Sequence, residues 1–129
     1  MTQQAWEQLT QDLGKRLLAL DDGDTIILQH GVHYVQCQSG VDDLHLDAVS
    51  NHHLPPERRL SGEQEERMVA LGWQPPRPPG YFNYHVKVDL PLSAQDAVRV
   101  ASLLVGALRD VYGVESPEQI EEKAFNAFH

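Results

Sequence analysis

Between Phe82 and Leu90 the chain alternates without a break. Phe82, Tyr84, Val86, Val88 and Leu90 are apolar, and Asn83, His85, Lys87 and Asp89 between them are polar. A strand of period two with one dry and one wet face belongs in an antiparallel sheet covered on one side only. A parallel sheet, buried on both faces, would need a continuous apolar run instead. Whatever else the chain builds must therefore cover one face of a sheet.

The rest of the sequence supplies covering helices and further strands. Trp6, Leu9, Leu13, Leu17 and Leu20 recur at steps of three and four, which predicts a helix over Gln4–Leu20 ended by Asp21-Asp22-Gly23-Asp24. Three short strands are expected at Thr25–Leu28, Val32–Gln38 and Asp42–Val49. With three-residue loops Gln29-His30-Gly31 and Ser39-Gly40-Val41, Leu28 faces Val32, Ile26 faces Tyr34, and Tyr34 faces Leu46. The core face then collects Ile26, Leu28, Val32, Tyr34, Leu44, Leu46 and Ala48. The opposite, mixed face carries Thr25, Ile27, His33, Val35, Cys37, His45 and Val49. A slip of one residue would exchange the faces.

Ser61 with Gln64 forms a capping box for a second helix, and Leu71-Gly72-Trp73 suits a Schellman stop. Pro75-Pro76-Arg77-Pro78-Pro79-Gly80 reads as a stiff connector, although Pro75 and Pro78 also have PxxP spacing. A third helix runs from Ser93 to Tyr112. Its apolar residues spread over much of its surface, so it lies deep in the core or shares a face with a second subunit. The second possibility makes a homodimer the expected assembly. Ser116-Pro117-Glu118-Gln119 opens a short terminal helix ending near Phe128. The order α-β-β-β-α-β-(β)-α-α is that of an α+β fold, and the 129 residues suit a single domain.

Composition narrows the function. A formal net charge of -9, with ten basic residues for nineteen acidic ones, opposes nucleic-acid binding, which relies on Lys and Arg to displace counterions. One cysteine, Cys37, permits no internal disulfide and suits a reducing compartment. Neither a signal-peptide pattern nor a membrane-length apolar run is present, so a cytoplasmic protein off the membrane is expected.

No catalytic constellation emerges. The seven histidines are His30, His33, His45, His52, His53, His85 and His129, and none pair at ligand spacing on a helix. His33 and His45, on adjacent strands, offer at most two ligands where zinc takes three or four. Cys37 would need a neighbour that lowers its pKa to act as a nucleophile. Ser61, Ser93 and Ser116 are explained as helix caps, and the paired acids Asp21-Asp22, Asp42-Asp43 and Glu65-Glu66 as turns and solvated faces. Neither a metal nor a cofactor is expected, nor is enzymatic activity.

The second half of the chain resembles a known family. Leu71-Gly72-Trp73-Gln74-Pro75-Pro76, then Asn83 with its alternating strand, then Ala101 to Val114 with Leu108-Arg109-Asp110-Val111-Tyr112-Gly113-Val114, are similar to bacterial TY-Chap domains. These are chaperone-like domains related to type III secretion chaperones and YbjN-like proteins, found mainly in actinobacteria. The resemblance implies a secretion-chaperone-like α+β fold, no catalytic residues and a peptide-binding role. Arg77-Pro78-Pro79-Gly80 departs from the family, whose members often carry more acidic residues after the Pro-Pro pair.

The leading expectation is a non-enzymatic module that binds an extended segment of a partner protein. Docking is expected on the mixed face at Ile27, Val35 and Val49, or in a groove beside Trp73. An assembly subunit without a client, and a small-molecule or metal-binding protein using the His33/His45 face, are the alternatives.

Overall fold

The computed structural model describes residues 2–128. In chain order it contains α1 (Thr2–Leu18), β1 (Asp24–His30), β2 (His33–Ser39), β3 (Asp43–Ala48), a 3-10 turn (Pro56–Arg58), α2 (Gly62–Leu71), β4 (Tyr84–Asp89), α3 (Ala94–Gly106), a π turn (Ala107–Val111), a second 3-10 turn (Pro117–Gln119) and β5 (Glu121–Asn126). The five strands form one sheet in the order β4-β3-β2-β1-β5. Every neighbouring pair is antiparallel. The α+β expectation holds.

The helix ends follow their local chemistry. Ser61 Oγ accepts from the Gln64 N–H at 3.1 Å, and Gln64 Oε1 accepts from the Ser61 N–H at 2.8 Å. Gly72, at φ 121°, closes α2 with its N–H on Met68 and Val69 carbonyls, and the Trp73 N–H reaches back to Met68 at 3.2 Å. That is the expected Schellman stop. Ser93 Oγ accepts from the Asp96 N–H at 3.0 Å and opens α3.

The first hairpin departs from the expected register. His30 pairs with His33, so the loop has two residues, Gly31 and Val32. Gly31 has φ 62°, as the first central residue of a tight II′-like turn requires. The tighter turn, moved two residues along, slides β2 by three residues against β1, an odd shift that exchanges its faces. Leu28 therefore opposes Val35 and Ile26 opposes Cys37, while Cys37 opposes Leu46 and Val35 opposes Ala48. Val35 and Cys37 enter the core, Tyr34 moves to the outer face, and Val32 is exposed at the turn. Gln36 and Gln38 explain why this register wins, since the alternative would bury both amides.

The terminal helix is also corrected. Ser116 Oγ caps only a single 3-10 turn through the Glu118 N–H, and β5 then pairs with β1 from Asp24↔Asn126 to Gln29↔Glu121. A helix of so few residues is marginal in water, whereas the otherwise open edge of β1 offers a row of backbone partners.

The apolar surplus of α3 is taken up within one chain. Ala97, Val100, Ala101, Leu103, Leu104, Val105 and Gly106 are buried. Gly14 of α1 is buried against α3, where a Cβ would meet the Ala97 carbonyl oxygen at an ordinary contact distance of 3.8 Å. Gln64 Nε2 and Arg67 donate to the Val111 and Asp110 carbonyls, fixing α2 against the π turn. The helix-based reason for a homodimer is thereby met by the chain's own core.

Candidate peptide-docking surface

One face of the sheet is core. Ile26, Leu28, Val35, Cys37, Leu44, Leu46, Ala48, Tyr84 and Val88 all join a single buried cluster with α1 and α3. The opposite face carries Ile27, Gln29, Tyr34, Gln36, Gln38, His45, Asp47, His85, Lys87, Lys123 and Phe125, none of them buried. Thr25 is the exception, its hydroxyl donating to the Gly23 carbonyl and accepting from Gln38 Nε2.

The two edges of this sheet differ. At the β4 edge Gln74 and His85 exchange both backbone hydrogen bonds, at 3.0 and 3.1 Å. Arg77 and Tyr81 close a tight loop through the proline run, and the Tyr81 ring stacks on His85 at 3.7 Å. The proline connector is thus a strap over that edge. At the other edge lies β5, exposed along its length except for half-buried Asn126. Arg16 of α1 grips Glu122 with two hydrogen bonds, at 2.7 and 2.9 Å, and Asn126 Nδ2 donates to the Asp22 carbonyl and the Asp24 carboxylate.

The residues singled out from sequence separate here. Val35, Val49 and Trp73 are 0%, 1% and 1% exposed, so they are core and offer no docking surface. Val35 is inward because of the shifted register. Val49 lies under Tyr112, whose hydroxyl donates to the Val49 carbonyl at 2.8 Å. The Trp73 indole N–H donates to the Leu103 carbonyl at 3.2 Å, so the expected groove is filled by the ring itself. Ile27 alone remains on the open face, half-buried, across from Lys123 on one side and Gln36 on the other. Diagonal to it on the same face stands Phe125, half exposed. Sequence reasoning missed Phe125 because the helix-start signal at Ser116-Pro117 masked the alternation of Glu121, Lys123 and Phe125.

The groups that could do chemistry are dispersed or shielded. Burial pushes the Cys37 thiol up to about 12, away from a nucleophilic thiolate. His33 lies on the core side of β2, stacked on Tyr112 with ring centroids 5.0 Å apart, and burial lowers its pKa. His45 stands on the outer face beside Asp43 at 2.6 Å, so the two histidines do not share a face. His52 and His53 meet Phe82 edge-on. Burial raises the Asp47 pKa against the pull of His85 and His45. Among the described residues no three His, Cys, Asp or Glu side chains converge as a metal set, and His129 lies outside the described residues. No helix among them is long and apolar enough to cross a membrane.

The arrangement leaves the backbone edge of β5 exposed beside the partly exposed apolar side chains of Ile27 and Phe125, with Arg16 paired to Glu122 on the helix side. No curated protein and no solved structure matches the chain. A family model does, the one described as T3SS (YopN, CesT) and YbjN peptide-binding chaperone 3, and it spans residues 1–126, well beyond the half that carries the sequence resemblance. The chain belongs to this family, TY-Chap3, of peptide-binding chaperone domains.

Proposed function

We propose that residues 1–129 form one non-enzymatic, cytoplasmic chaperone-like domain that binds an extended segment of a partner protein at the β1/β5 end of its sheet. The observation that carries this reading is the asymmetry of the edges. The β4 edge is strapped by Gln74 and the proline loop, whereas the β5 edge is exposed and stands beside Ile27 and Phe125. Strand pairing at this end of the sheet would draw affinity from backbone hydrogen bonds and selection from the side chains of alternate residues. A net charge of -9 suits a polypeptide better than a nucleic acid, and a lone buried thiol accords with a reducing compartment.

The test is capture from the native cell, followed by synthesis of the captured segments and measurement of their affinity. Ile27→Asp should weaken binding about tenfold or more, since an apolar contact gains a charge that must be desolvated. Cys37→Ser, and His33→Gln with His45→Gln, should leave it within about twofold in folded protein. Unchanged affinity in a folded Ile27→Asp variant would remove this end of the sheet from the reading.

A client-free assembly subunit is the second reading. It is favoured by a shallow apolar groove between α1 and α3, where Leu18 and Val98 are 51% and 60% exposed. A homodimer formed there would dissociate with Val98→Lys, as read by light scattering.

A further inference from the structure

Resting on the peptide-binding reading, we infer that β5 is a built-in stand-in for the client: a displaceable strand seated on the true docking edge, β1, where Arg16 selects an acidic residue at the position of Glu122.

The core does not need β5. Its residues contribute nothing to the buried cluster, which ends at Ile120, packed against it after the 3-10 turn. Beyond Ile120 every residue of β5 is exposed or half-buried. Backbone pairing to β1 from Asp24↔Asn126 to Gln29↔Glu121 holds the strand, together with the Arg16–Glu122 pair and the Asn126 contacts. The ion pair is exposed on both sides, 38% and 41%, and such pairs hold weakly. Peeling β5 away at Ile120 would leave the α1–α3 layer and four strands in place, and would uncover an edge on which an incoming chain finds every partner β5 found. Local opening of elements with few buried contacts is the usual lowest step in a protein's unfolding hierarchy.

The seat also describes its occupant. At the position of Glu122 an acidic side chain meets the Arg16 guanidinium in a two-bond grip. Two residues on, Ala124 stands opposite Ile26 on the same face of the strand. The client class is therefore an extended segment with an acidic residue at the position of Glu122.

The experiment uses the full chain and a synthetic octapeptide of residues 120–127, Ile-Glu-Glu-Lys-Ala-Phe-Asn-Ala. The tethered strand competes at high effective concentration, so weakening it should admit the free one. A full chain carrying Glu122→Lys is expected to bind the octapeptide about three- to tenfold tighter than the unaltered chain does. Amide shifts should centre on Thr25–Gln29. In a chain carrying Arg16→Glu alone, whose tethered Glu122 is then repelled, the preference should reverse, so that an octapeptide with Glu122→Lys binds more tightly than the original. Shifts absent from β1 in both chains, or affinity indifferent to the charge at residue 16, would overturn the proposal. Should the Glu122→Lys chain fail to fold, hydrogen exchange on the unaltered chain decides. The β5 amides are expected to exchange while β2 and β3 stay protected, and equal protection overturns displacement. A captured client that binds with β5 still protected would overturn displacement and leave peptide binding standing. Failure of any segment to bind the domain would bring down the reading on which it rests.

Discussion

Val35 and Ile27 are β-branched residues on adjacent strands, yet they have opposite duties. Val35 is wholly buried between Leu28 and Ala48, so Val35→Asp places an unpaired charge in the core and should unfold the protein at room temperature. Ile27→Asp puts the carboxylate across from Lys123 on the open face and should keep a cooperative melt. Circular dichroism separates the two outcomes. Three buried acids set the alkaline limit of stability. Burial raises the Cys37 thiol and the Tyr84 phenol each to about 12, Tyr84 with added repulsion from Glu65, and raises the Tyr112 phenol too. In the unfolded chain these groups ionise near about 8.5 for cysteine and about 10 for tyrosine. Folded pKa values above unfolded ones mean a contribution intact below about pH 8.5 and lost as the pH climbs toward about 12. The urea midpoint should therefore fall between about pH 8 and about pH 11. A midpoint that held steady would mean that these groups are solvated.

At the scale of elements, α2 depends on how it stops. Gly72 sits at φ 121°, and an added Cβ would come within 3.2 Å of Leu103 Cδ2, so Gly72→Ala should cost at least about 1 kcal/mol and lower the melting temperature by a few degrees. This stop, the Ser61–Gln64 capping box, the Ser93 cap and β4 were legible from the local pattern of residues, because the atoms that decide them are local. The β2 register was not. It turned on whether Gly31 opened a two-residue turn or closed a three-residue one, and apolar count alone left both faces mixed. Gln36 and Gln38 held the deciding information, since polar groups choose a face more strictly than Val or Tyr. Through that slip Val35 was misplaced in the docking site. The terminal strand was hidden for a different reason. Ser116-Pro117-Glu118 is a sound helix start, and only pairing with the distant edge of β1 draws Glu121–Asn126 out into β5. Phe125 went unseen with it. Val49 and Trp73 were misjudged because their burial depends on the distant partners Tyr112 and Leu103.

The whole molecule is a sheet with one face closed by helices, one edge strapped by prolines and one end held only by its last strand. The chain belongs to a peptide-binding chaperone family, and we propose that open end as its docking site. The most direct test of this account is hydrogen-exchange footprinting of the full chain with a saturating synthetic peptide taken from the segment it captures. The account expects backbone exchange to change at Thr25–Gln29 and Glu121–Asn126, with Tyr84–Asp89 and the α1–α3 groove unaffected. Protection confined to the β4 edge or to that groove, with the β1/β5 end unchanged, would contradict it.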